Sequence, residues 1–120
     1  MVDRRRFPKS ARLRHSTEVR AMFRAGARRS CGTLEVFLRD STDLRNPRLV
    51  IVVPKHGHTI VERNRLRRRI RETLRTHWLP VERKRPRPRD LLVRATAQAY
   101  ELEFDELAAG LADCLELEPC

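Results

Sequence analysis

The stretch Thr59–Arg75, Thr-Ile-Val-Glu-Arg-Asn-Arg-Leu-Arg-Arg-Arg-Ile-Arg-Glu-Thr-Leu-Arg, holds seven arginines and two acids. So charged a segment can join a fold only if one face enters a core and the rest meets water or an anion. Thr59 and Glu62 stand at capping-box spacing, where each side chain can satisfy the other's free backbone N–H, so the spacing predicts a helix starting here. At about 100° per residue, Leu66, Ile70, Thr73, Leu74 and His77 share one face. Asn64, Arg67, Arg68, Arg71 and Arg75 fall largely opposite. The pattern is an amphipathic helix with a core face and an anion face. A merely solvated helix intersperses acids for i,i+4 pairing, and here only Glu62 and Glu72 could serve. Guanidinium groups packed side by side repel one another unless a polyanion neutralises them. The helix also lacks the bulky apolar face that inserts into lipid, which argues against a membrane.

The rest of the chain agrees with a polyanionic partner. Its 120 residues carry 27 basic and 16 acidic side chains, a formal charge of +11. Residues 1–89 hold 26 of the basic and 8 of the acidic residues, so the partner should meet the first three quarters of the chain. The longest apolar run, Leu49–Val53, is far too short to span a bilayer, and the basic N-terminus lacks the apolar core of a secretory signal. Three cysteines, Cys31, Cys114 and Cys120, are odd in number and widely spaced, which reads as a reduced, cytoplasmic protein.

Residues 1–9 read as a flexible basic arm, and residues 10–117 as a single α+β domain. A short helix capped at Ser16 and stopped by Gly26 carries Val19, Met22 and Phe23 on one side. Leu34–Arg39 alternates as a half-buried strand, placing Leu34, Val36 and Leu38 inward and Phe37 on the other face with Glu35 and Arg39. Phe37 there is either part of a second small core or a platform for stacking bases. Arg48–Val53 is a β-branched run expected in a central strand, and Pro54–His58 is a loop feeding the arginine helix. That helix should end near Trp78-Leu79-Pro80, before a Pro- and Arg-rich linker over 81–89. Asp90–Ala95 is a further strand, and Phe104, Leu107, Leu111 and Leu115 mark a C-terminal helix.

No catalytic grouping stands out. His56 and His58 lack a Cys or carboxylate at ligand spacing, so no metal site is expected on the chain, and contact with phosphate suits these loop histidines better. No Ser/His/Asp set, glycine-rich phosphate loop or carboxylate pair is present.

The segment Arg63-Asn64-Arg65-Leu66-Arg67-Arg68-Arg69-Ile70-Arg71-Glu72 closely resembles the signature of the bacterial ribonuclease P protein subunit, Arg-Asn-Arg-x-Lys-Arg-x-x-Arg-Glu, preceded in that family by a lysine-bearing loop. The likeness extends over roughly residues 7–116: Arg12-Leu13-Arg14 with Val19, Met22, Phe23 and Gly26 is similar to the family's first helix. Phe37 sits where its first long strand carries an aromatic. Arg67 stands in place of a lysine, Val19 of a frequent aromatic, Thr59 of a common asparagine and His56 of a second lysine.

The resemblance implies an α+β two-layer sandwich similar to the second domain of ribosomal protein S5. In it the arginine helix lies in a left-handed βαβ crossover, against the usual hand. It also implies a monomeric protein subunit of ribonuclease P, one per catalytic RNA, assisting removal of the 5′ leader from precursor transfer RNA. Hydrolysis would use Mg²⁺ held by the ribonucleoprotein, and no catalytic group would come from the protein. Carried over by position, Arg63, Asn64, Arg65, Arg67, Arg68 and Arg71 would contact the catalytic RNA, with Arg63 also able to anchor the helix. Phe23, Phe37, Arg39 and Lys55 would line a cleft for the leader. Two other classes share parts of this pattern: a general RNA-binding protein, and a DNA-binding regulator, which would need base-reading side chains that a face of arginines does not offer.

Overall fold

The computed structural model describes residues 16–25, 27–40 and 47–115; the N-terminal arm lies outside them. Helix α1 (Ser16–Ala25) precedes strands β1 (Ala27–Cys31), β2 (Leu34–Asp40) and β3 (Arg48–Val52). Helix α2 (Ile60–Thr73), a π turn (Leu74–Trp78) and α3 (Leu79–Glu82) follow, then β4 (Arg89–Ala95), a 3₁₀ turn (Ala97–Glu101) and helix α4 (Phe104–Leu115).

The four strands form one sheet in the order β1-β2-β4-β3. β1 and β2 make an antiparallel hairpin, its turn carried by Gly32 at φ 62°. β4 inserts antiparallel to β2 and parallel to β3. Parallel neighbours need a crossover, and α2 lies within it. β4 can occupy this inner position because Leu91, Leu92 and Val93 are all buried, one run feeding both faces of the sheet.

The register decides which face each side chain joins. Leu34 opposite Ala95, Val36 opposite Val93 and Leu91 opposite Leu49 turn to one side. There they meet Leu66 and Ile70 of α2, Leu74 and Trp78 of the π turn, and Leu107, Leu111 and Cys114 of α4. Phe37 opposite Leu92 turns to the other side, where it packs with Met22 of α1. The molecule is the α+β sandwich expected of the S5-like fold: a sheet on a layer of α2 and α4, with α1 alone across the outer face.

Three departures from the sequence reading have physical causes. The arginine helix does not stop at Pro80. It widens into the π turn, where the Leu79 N–H bonds the Leu74 carbonyl, and this accommodates a residue that lacks an N–H and crowds the preceding turn. The Thr73 and Thr76 hydroxyls donate to the Arg69 and Glu72 carbonyls along the way. The continuation buries Trp78 and Leu79 almost completely. Second, β1 carries no apolar alternation to announce it; Ala27, Arg28, Arg29 and Ser30 are all exposed on an edge strand. Third, the cysteines are not all free thiols. Packing of α4 against β1 brings the Cα atoms of Cys31 and Cys114 to 5.6 Å, and the two are joined in a disulfide. Cys120 lies outside the described residues.

Two buried carboxylates brace the sheet ends. Asp90, fully buried, accepts from Arg48 Nε and Nη2 at 2.9 Å each and from Arg39 Nε at 3.1 Å. Glu82, also buried, accepts from Arg89 Nε at 2.7 Å and Nη2 at 3.0 Å. Such pairing offsets the cost of taking a carboxylate out of water.

Candidate nucleic-acid interface

The cap expected for α2 is present in full. The Glu62 N–H donates to Thr59 Oγ1 at 3.1 Å, and the Thr59 N–H donates to Glu62 Oε1 at 2.9 Å. The Thr59 backbone N–H, followed by its hydroxyl, holds the Glu62 carboxyl below its ordinary pKa. Burial of Leu66, Ile70 and Thr73 sets the roll of the helix. Asn64, Arg65, Arg68 and Arg71 consequently face outward, while Arg63 and Arg67 are half-buried. Arg67 Nη1 donates to Asn64 Oδ1 at 3.3 Å, lying along the helix surface. Arg63 has its Nε enclosed without a hydrogen-bond partner, consistent with anchoring the helix as much as with reaching outward.

The two flanks of this face differ in charge. On one side a groove of about 250 Å³ is lined by Glu62, Arg65, Leu66, Arg69 and the segment Ala99–Glu103. The carboxylates of Glu62, Glu101 and Glu103 border it and would repel a polyanion there. Arg69 turns into it to donate to the Leu102 carbonyl at 3.3 Å. Asn64, Arg67, Arg68 and Arg71 do not line this acidic groove, whereas Arg65 does.

The loop that feeds α2 is held from behind. The His58 ring stacks on Tyr100 with centroids 3.6 Å apart, and the Tyr100 hydroxyl donates to the Pro54 carbonyl at 2.6 Å. Burial pushes the Tyr100 hydroxyl pKa up. Gly57 at φ 79° turns the chain back toward the cap. Lys55 and His56 stay exposed, whereas His58 is spent on packing. Among the described residues no three His, Cys, Asp or Glu side chains are placed to hold a metal ion.

The other face of the sheet carries a second, smaller apolar cluster. Its members are Met22, Phe37 and Leu92, with half-buried Val19, Val50 and Val52 packed against them. Phe37 is 5% exposed and Phe23 is 37% exposed; their rings meet edge to face at 5.1 Å. The Arg94 guanidinium carbon lies 5.8 Å from the Phe23 ring centroid. Phe23 and Phe37 thus come together, but the ring open to a ligand is Phe23, and Phe37 lies beneath it. The small-core reading of Phe37 is the one its burial supports. Arg39 reaches this face too, yet its Nε is engaged by Asp90 and its side chain is 19% exposed, which makes it first a structural residue.

Arg94, Val50 and Val52 were not singled out by sequence. Strand alternation placed within the register could have found them: Arg94 stands opposite Glu35, two residues from Phe37, and beside Val52.

A sheet with an arginine-rich helix on one side, and an exposed Phe23 ring beside Arg94 on the other, defines a basic α+β protein. The model of the Ribonuclease P family matches residues 7–117. The ribonuclease P protein component of Acidothermus cellulolyticus is 34% identical over 103 residues, covering 85% of this chain and 82% of the relative. That of Stutzerimonas stutzeri is 32% identical over 109 residues, covering 90% and 79%. The structure of the Staphylococcus aureus RNase P protein matches in fold with a TM-score of 0.76 at 21% identity, covering 90% of this chain and 94% of that one. The chain belongs to the ribonuclease P protein family. Membership associates it with the ribonuclease P enzyme and implies an RNA partner.

Proposed function

We propose that this chain is the protein subunit of ribonuclease P, acting in transfer-RNA 5′ maturation. It would bind the catalytic RNA through Asn64, Arg67, Arg68 and Arg71, with Arg63 and Arg65 at the margins, and receive the 5′ leader of precursor transfer RNA in the cleft. The observation that supports this reading is the placement of an arginine-rich helix on one side of the sheet and an exposed Phe23 ring beside Arg94 on the other. A stripe of guanidinium groups suits a folded RNA backbone, and an open aromatic ring beside a cation suits a single strand.

In the cleft, Phe23 offers the ring on which a base stacks, Phe37 supports that ring, and Val50 and Val52 take the apolar side of the strand. Arg94 and Lys55 are the cations for leader phosphates. Such contacts tolerate any base, as a protein handling many leaders requires. The protein places substrate against the RNA; the hydrolytic Mg²⁺ belongs to the ribonucleoprotein, and no residue of this chain acts on the scissile bond. One monomer per catalytic RNA, in the cytoplasm, completes the proposal.

Precursor and mature transfer RNA should be titrated against the complex of this chain with the catalytic RNA. Tighter binding of the precursor, growing with leader length up to a few nucleotides, supports the leader cleft. Equal affinity for precursor and mature forms refutes it. Competition by duplex DNA as strong as by the catalytic RNA would instead favour a general nucleic-acid binder.

A further inference from the structure

The arginine helix is not the chain's only cationic surface. Arg83-Lys84-Arg85-Pro86-Arg87-Pro88 joins α3 to β4 and contains no acid. Residues 83–87 are exposed, while Pro88 is buried. Glu82, the adjoining acid, is buried and already occupied: Arg89 binds both its oxygens, and Arg85 Nε lies 3.3 Å from Oε1. Neither Lys84 nor Arg87 has an ionic partner among the described residues.

The loop is also held in shape. The Lys84 and Arg85 N–H groups donate to the Val81 and Glu82 carbonyls at 3.2 and 3.1 Å, continuing the helix end as a turn. Prolines at 86 and 88 fix φ on either side of Arg87. Arg85 and Arg89 are tethered to one buried carboxylate from opposite ends of the loop. A cationic loop ordered in advance gives up little entropy when it binds. Among the described residues nothing calls for the charges of Lys84 and Arg87, which repel one another in the absence of a ligand.

We propose that the loop Arg83–Arg87 is a second RNA-binding surface, one that grips the phosphate backbone of double-helical RNA. It rests on the proposed function above, and assigns this loop to the same catalytic RNA as the motif helix. Two observations set the ligand class. The loop has no aromatic side chain, and the neighbouring Trp78 is buried, so it offers nothing on which unpaired bases could stack. Paired RNA is recognised largely through backbone and shape, for which lysine and arginine suffice. Between Arg71, where the proposed contacts of the motif helix end, and Arg83, where the loop begins, the chain runs along twelve residues of nearly continuous helix, which at 1.5 Å per residue sets the near edges of the two cationic surfaces roughly 18 Å apart. That exceeds the Debye length of about 8 Å at physiological salt, so the loop adds a separate contact instead of strengthening the first. Two such contacts on one rigid body fix the orientation of the protein on a large RNA, and engagement of one raises the effective concentration of the other.

The test uses the full chain and the catalytic RNA. Binding is measured across a salt series for the wild type, for the double variant Lys84→Ala/Arg87→Ala, and for Arg68→Ala on the motif helix. Both loop residues are exposed, so thermal melts should be unchanged. Losing two phosphate contacts should weaken binding and lower the salt slope by roughly 1.4–1.8, at 0.7–0.9 per contact. Lys84→Arg/Arg87→Lys should retain the wild-type slope. Hydroxyl-radical protection of a paired segment, lost in the double alanine variant, would identify the duplex. If Arg68→Ala weakens binding while the loop variant leaves affinity and slope unchanged, the second surface is refuted and the function stands. If neither variant matters, RNA binding by this fold fails and the loop proposal falls with it. Loss of protection confined to unpaired nucleotides would overturn the assignment to duplex RNA.

Discussion

Phe23 and Phe37 touch, yet their truncation should damage the protein in opposite ways. Phe37 is 5% exposed and fills the space between Met22, Leu92 and the edge of Phe23. Phe37→Ala leaves a cavity between sheet and helix, and buried Phe→Ala changes cost about 3–5 kcal/mol. Phe23, 37% exposed, forfeits mainly its edge-on contact, about 0.5–1.5 kcal/mol, and the Arg94 contact, about 0.5–1 kcal/mol. Function should rank them the other way. A base stacked on Phe23 contributes roughly 1–3 kcal/mol, so Phe23→Ala should weaken precursor binding about 5- to 150-fold and leave mature transfer RNA unaffected. Urea denaturation gives the first comparison, and titration of both RNAs against the protein–catalytic RNA complex gives the second. The reasoning is refuted if Phe37→Ala costs under about 1 kcal/mol, or if Phe23→Ala lowers affinity for precursor and mature RNA alike.

The other expectations concern stability. Asp90→Asn removes the charge shared by buried Arg48 and half-buried Arg39 and should destabilise the protein by about 3–5 kcal/mol in denaturant titration; a loss no larger than that of a surface ion pair would contradict the buried network. The Cys31–Cys114 bridge spans a sequence separation of 83, so reduction or Cys114→Ser should cost on the order of 4–5 kcal/mol by loop entropy, read as a lower melting temperature; an unchanged melt in excess reductant would show the bridge to be dispensable. Glu62 has its folded pKa lowered by Thr59, so the cap contributes stability above the unfolded value of 4.5 and loses it as pH falls through the folded one. NMR titration should place this carboxyl below the ordinary glutamate range, and Thr59→Ala, which removes the hydroxyl but keeps the backbone N–H, should raise it only part of the way back; loss of the Thr59 cap itself should cost about 1 kcal/mol of stability.

What was legible in the sequence was local. Thr59 and Glu62 announce their helix because the cap closes within one turn, and Leu66, Ile70 and Leu74 set its roll by spacing alone. The apolar runs of β3 and β4 are strands on any reading, but β3, expected centrally from its β-branched run, lies at the sheet edge and β4 takes the inner place. What stayed hidden depends on register or on contacts distant in sequence. β1 is polar because it is an exposed edge, and only pairing with β2 makes it a strand. Arg39 reads as a free cation until Asp90, 51 residues away, is found against it. Arg94 looks like an ordinary exposed strand residue until α1 brings Phe23 beside it. Cys31 and Cys114 meet only because α4 packs on β1. Even Pro80, a sound local stop signal, yields to the burial of Trp78 and Leu79, which holds the chain helical through a wider turn.

The account is tested most directly by cleavage of a labelled precursor transfer RNA by the cognate catalytic RNA at low Mg²⁺, with and without this chain. It predicts faster cleavage at the mature 5′ end when the protein is present, with the stimulation diminished by Arg68→Ala. A protein that binds the RNA but leaves the rate and site of cleavage unchanged would contradict it, and would make this fold a general RNA-binding protein.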